Sequence, residues 1–133
     1  MVLKWRGMSR EIVIVDDHEG VRDALVGMVE EAGYLAVAFP TAAGALARIG
    51  EHRPALVLLD MMMPEIDGAD FLARLSRLRD GRTVPVIIVS AMGHLLQGLR
   101  ESDVNAAGVA EVLAKPVSYT TLIAAVRRVI GPP

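Results

Sequence analysis

Five residues stand where short apolar runs stop, and together they could handle a phosphoryl group. Asp60 directly follows Leu58-Leu59, and Asp16-Asp17 follow Ile12-Val13-Ile14-Val15. Ser90 closes Val86-Ile87-Ile88-Val89, and Lys115-Pro116 comes soon after Val112-Leu113. A carboxylate at the end of a buried apolar run is costly unless it is paired or used in a reaction. Carboxylates about 4 Å apart repel by roughly 4 kcal/mol at an effective dielectric of 20, so three converging acids would take up a proton or collect a cation. Oxygen ligands completed by water and a phosphate oxygen describe Mg²⁺. No His/Cys set at zinc spacing occurs, and His18, lacking a second imidazole nearby, reads as a solvated loop residue beside the acids.

With a divalent ion in place, one acid can attack phosphorus and become an acyl phosphate while the cation and a lysine neutralise the equatorial oxygens. Asp60, alone at its strand end, is the expected nucleophile. The adjacent pair Asp16 and Asp17 is better arranged to hold the cation between itself and Asp60. Lys115 is then the charge partner and Ser90 the hydroxyl that bonds a phosphoryl oxygen.

Gathering these groups requires a particular frame. β-Branched runs near 11–15, 34–39, 56–59, 85–89 and 109–113 alternate with segments of helical period near 20–32, 42–50, 69–79, 95–107 and 118–130. Val21, Ala24, Leu25, Met28, Val29 and Ala32 form the first apolar stripe, stopped by Gly33. Leu122, Ala125, Val126, Val129 and Ile130 form the last, with Ser118 as its cap. The segment near 95–107 is the weakest helix, because Gly93 and Gly98 each cost about 1 kcal/mol of propensity relative to alanine, and it is expected to be mobile. Five β/α units joined by right-handed crossovers predict an α/β fold: a doubly wound five-stranded parallel sheet of order 2-1-3-4-5, flavodoxin-like (βα)5. Groups at the carboxyl ends of its strands then converge on one rim.

The bulk properties narrow the functions. At 133 residues the chain suits one domain, and a domain of about 150 residues buries roughly 68–70% of its unfolded surface. A net charge of −2 without a Lys/Arg cluster beyond Arg127-Arg128 argues against direct nucleic-acid binding. The absence of cysteine excludes thiol chemistry and thiolate-bound metals, and suits the cytoplasm. No uncharged run approaches the ~20 residues of a membrane span, so no membrane association is expected.

From about Glu11 to Ile130 the chain resembles the receiver domain of two-component response regulators. Val15-Asp16-Asp17-His18 with Arg22 downstream, Leu59-Asp60-Met61-Met62-Met63-Pro64 with Asp67-Gly68, Ser90-Ala91, Ala107-Gly108 and Lys115-Pro116 occur in the family's order. The resemblance implies a receiver domain over 11–131 after an N-terminal extension over 1–10. It implies that Asp60 accepts phosphate from the phosphohistidine of a sensor histidine kinase or phosphotransfer protein. Asp17 would bind Mg²⁺ directly, Asp16 partly through water, and the Met62 backbone carbonyl would add a ligand. Signalling would pass to a downstream protein partner, homodimerisation being one option, and chemistry would be limited to self-phosphorylation and autodephosphorylation.

The chain departs from that family at Val112, where receivers usually carry Tyr or Phe, and in a longer stretch between Ser90 and Lys115. A second reading makes it the receiver piece of a larger transcription regulator or hybrid kinase. A third, a Mg²⁺-dependent phosphatase with Asp60 as nucleophile, lacks the second acid that haloacid-dehalogenase-like enzymes place two residues on, where Met62 stands. A flavin carrier is disfavoured by an aromatic content of 4%.

Overall fold

The computed structural model describes residues 10–61, 68–78, 84–91 and 108–133. Five strands, β1 (Glu11–Val15), β2 (Leu35–Phe39), β3 (Leu56–Leu59), β4 (Val86–Ser90) and β5 (Val109–Ala114), form one parallel sheet in the order β2-β1-β3-β4-β5. Four helices are described: α1 (Glu19–Glu31), α2 (Ala42–Glu51), α3 (Gly68–Leu75) and α4 (Tyr119–Ile130). The order is the one the alternation of runs predicts, and the strands lie within about a residue of expectation. The helix expected near 95–107 lies outside the described residues, as does Met62.

The sheet is buried on both faces, which is why its strands read as continuous apolar runs rather than alternating ones. Val13, Val15, Val57 and Leu59 share one cluster with Ala45 and Ile49 of α2 and Phe71 and Leu75 of α3. Ile12, Ile14, Leu56 and Leu58 share the other with Leu25 and Val29 of α1 and Leu122 and Val126 of α4. Successive strand residues thus serve opposite layers, as a period of two requires.

Helix ends follow local chemistry. Ser118 Oγ accepts from Thr121 N at 3.1 Å, as its position at the start of the last stripe predicts. Thr41 Oγ1 does the same for Gly44 N at 3.2 Å. Past α1 the chain turns through Gly33 at φ 102, a conformation L side chains avoid, and an added Cβ there would sit 3.1 Å from Pro133 Cγ. The α1 stripe is wider than the core it meets: Leu25 and Val29 are buried, but Ala24, expected in the stripe, is exposed.

Register matters most at β5. Val86 pairs with Val109 but Ile87 with Glu111, so Ala110 has no partner and a bulge lies between them. Beyond it Val112 turns inward at 7% exposure, and Glu111 meets Arg128 of α4 in a two-pronged ion pair of 2.8 and 2.9 Å. A similar pair joins Arg48 of α2 to Glu11 at 3.0 and 3.1 Å.

At the opposite end of the sheet from Asp60, the buried Tyr34 hydroxyl donates to the Gly131 carbonyl at 2.8 Å. Burial lifts the Tyr34 phenol above its ordinary value of 10.0, an effect partly offset by the Arg127 and Arg10 charges. Above about pH 10 the unfolded chain releases this proton while the folded chain keeps it, so stability falls as pH rises. Tyr34→Phe should lower unfolding free energy near neutrality by about 0.5–1.5 kcal/mol. Urea unfolding across the alkaline range should also show a shallower decline in this variant than in the parent.

Candidate functional site

The candidate residues are hung from neighbouring strands by their own backbone. The Asp60 amide donates to Val15 O at 3.0 Å, and the Asp16 amide to Phe39 O at 3.2 Å. On the other side of β3, the Lys115 amide donates to Ser90 O at 2.9 Å. Each bond carries the parallel ladder one step past the strand, so the residue after the apolar run is as well placed as the run itself. The order of strands then brings residues 16, 60, 90 and 115 to one rim.

There the side chains meet. Ligand oxygens of Asp16, Asp17 and Asp60 all lie within 4.8 Å of one another. Lys115 Nζ bridges two of them, at 2.7 Å from Asp16 Oδ2 and 3.4 Å from Asp60 Oδ2. Asp16 and Asp60 are 1% and 6% exposed and Ser90 is fully buried, whereas Asp17 faces solvent. Burying one carboxylate without partners would cost several kcal/mol. Here Asp16 Oδ1 accepts from His18 N at 2.9 Å while Oδ2 holds the ammonium.

Three carboxylates against one ammonium leave a formal excess of two negative charges. A hard divalent cation matches that excess, finds only oxygen donors, and can keep its waters on the open flank beside Asp17. Sequence reasoning places Asp16, Asp17, Asp60, Ser90 and Lys115 at this rim, and the structure gathers the three acids there, pairs Lys115 with Asp16 and Asp60, and joins Ser90 to Lys115 through the backbone.

Two residues already in the recognised pattern, His18 and Arg22, have bonding roles that the sequence did not show. His18 is the N-cap of α1, its Nδ1 accepting from Val21 N at 3.2 Å, so a neutral ring carries its hydrogen on Nε2. Arg22, one turn into α1, donates from Nη1 to the Asp16 carbonyl at 3.0 Å. A His-x-x-Val cap resembles Ser or Asp capping only in function, which is why no composition signal announces it. Beside Lys115, a groove of about 640 Å³ opens between Val21, Ala24, Leu25 and Met28 of α1 and Val89 and Val117. This groove accounts for the α1 stripe being wider than the core. The Lys115–Pro116 peptide at its rim is cis.

Comparison with known proteins agrees with this geometry. The family model for the response regulator receiver domain matches residues 12–127. An uncharacterised 14.6 kDa protein of Leptolyngbya boryana is 35% identical over 121 residues, which are 89% of this chain and 88% of that protein. The transcriptional regulatory protein CseB of Streptomyces avermitilis is 30% identical over 119 residues; these are 90% of this chain but 48% of CseB, so the chain spans about half of that regulator. Among solved structures, the receiver domain of the sensor histidine kinase PA1611 of Pseudomonas aeruginosa PAO1, which has a magnesium ion coordinated in its active-site cleft, matches with a TM-score of 0.79. It is 28% identical, covering 92% of this chain and 98% of that one. With the matched region running from within β1 into α4 and the acid cluster at its centre, the chain belongs to the response regulator receiver domain family of two-component signalling.

Proposed function

We propose that residues 11–131 act as a phosphorylatable receiver in the cytoplasm, taking a phosphoryl group onto Asp60 from the phosphohistidine of a sensor kinase or phosphotransfer protein. The observation that carries this reading is Lys115 Nζ lying between Asp16 and Asp60 in a cluster of three carboxylates. An Asp60 carboxylate oxygen attacks phosphorus as the P–N bond to the donor imidazole breaks, its electron pair staying on the ring nitrogen. Bound Mg²⁺ would neutralise the phosphoryl oxygens during transfer. Asp17 would hold the ion directly, and Asp60 and the Met62 carbonyl would complete the protein ligands. Both Asp16 oxygens already carry protein hydrogen bonds, which favours contact through water for that residue.

Lys115 would follow the charge from the Asp60 carboxylate to the new phosphoryl group, and the Ser90 hydroxyl would turn to one of its oxygens. Since Lys115 N is bonded to Ser90 O, the two responses are mechanically joined at the ends of β4 and β5. With valine at 112, output passes to a downstream protein without an aromatic rotamer at that position. The apolar groove beside Lys115 offers a donor protein a contact surface next to the acceptor.

Incubation with acetyl phosphate and Mg²⁺ should add one phosphoryl group by intact mass, and chelation should prevent it. Asp60→Asn should show no gain; a gain that persists in this variant would assign the acceptor elsewhere. Lys115→Met leaves the three acids without their ammonium. Its melting temperature without Mg²⁺ should fall below that of the parent, and saturating Mg²⁺ should raise it by more than it raises the parent's. Equal increments in parallel thermal melts would contradict the role of Lys115 as the resident counter-charge.

A further inference from the structure

Asp17 poses a problem that the other two acids do not. Lys115 and the His18 amide hold Asp16, and Lys115 also reaches Asp60, yet among the described residues Asp17 makes no ion pair. Its side chain faces solvent, where repulsion from two neighbouring carboxylates would turn it away from the cluster. Its ligand oxygen nevertheless lies within 4.8 Å of theirs. Something in the backbone must aim it.

We infer that Arg22 is a positioning residue for the metal site, acting through the Asp16–Asp17 peptide; this rests on the Mg²⁺-dependent reading above. The Arg22 Nη1 donates to the Asp16 carbonyl at 3.0 Å. That carbonyl belongs to the peptide plane joining Asp16 to Asp17, and the next plane, joining Asp17 to His18, is held by Asp16 Oδ1, so together the two bonds restrict the direction in which the Asp17 side chain leaves the chain. The bond closes a ring: Asp16 Oδ1 accepts from His18 N at 2.9 Å, and His18 O accepts from Arg22 N at 2.9 Å. The His18 cap at Val21 N stiffens the same turn. Arg22 thereby reaches the acid loop from α1, and its half-buried guanidinium is directed to a backbone oxygen rather than to any of the three carboxylates.

The sign of the effect separates this role from two simpler ones. A cation near an acid cluster opposes a second cation, so if Arg22 acted only by charge, removing it would tighten Mg²⁺ binding. If it only stabilised the fold, removal would lower the melting temperature and leave affinity alone. A positioning role requires weaker binding in a folded protein, of the about tenfold or greater size seen when groups supporting metal ligands are lost.

The test is a MgCl₂ titration of the full chain, followed by calorimetry and amide spectra, for the parent, Arg22→Met, Arg22→Lys and Asp17→Asn. Arg22→Met should lose about tenfold in Mg²⁺ affinity with its amide spectrum otherwise retained, and Arg22→Lys, which keeps a donor, should lose less. In an Asp17→Asn background, Arg22→Met should cost nothing further. Should Arg22→Met fail to fold, Arg22→Lys binding with undiminished affinity overturns the inference by itself. Arg22→Met binding as tightly as the parent, or more tightly, overturns it and leaves the proposed function standing. A parent chain that takes up no Mg²⁺ overturns both.

Discussion

One constraint governs this molecule: like-charged side chains must be held together at the edge of an apolar sheet. The sheet does so with backbone bonds that continue past the last strand residues, from Asp60 to Val15 and from Asp16 to Phe39. Because these bonds depend on strand order and register rather than on the side chains they position, electrostatic repulsion at the rim is opposed by the whole hydrogen-bonded ladder and the two apolar layers beneath it. Lys115 then supplies the local compensation, reaching Asp16 and Asp60 from a strand that is not adjacent to either of their own.

The same constraint explains why the layers are so strictly sorted. Phe71 and Ile49 fill one side and Leu122 and Leu25 the other, so a shift of a single residue in any strand would exchange their contacts. A rim that carries mutually repelling acids tolerates such a slip poorly. β3 and β4, fully buried, and β1, buried beyond Glu11, place three adjoining strand ends beside the cluster, while the more exposed β2 lies at the sheet's edge.

Much of this was legible in the amino-acid order. The apolar runs ending in Asp16, Asp60 and Ser90 carry both the strand boundaries and the site, since a polar residue after a buried run marks where the sheet meets water. Ser118 and Gly33 announced helix ends through side-chain and backbone chemistry that acts within a few residues. What stayed hidden depends on three-dimensional partners. Ala24 has helical spacing with the core stripe but meets the groove instead. His18 caps a helix through a ring nitrogen, and Arg22 bonds a carbonyl six residues back, neither of which leaves a pattern of hydrophobicity or charge. Tyr34 meets Gly131 across 97 positions of chain, a separation at which local signals carry no information.

The unpaired Ala110 decides which way the end of β5 faces. The bulge sits between the long connection that leaves β4 and the pairs that set Val112, Ala114 and finally Lys115 against Ile88 and Ser90. It acts as a phase adjuster, absorbing one residue before the stretch whose alternation must be kept. A strand without that extra residue would reverse the facing of the residues on one side of it, so that either Val109 or the stretch from Val112 to Lys115 would point to the wrong layer.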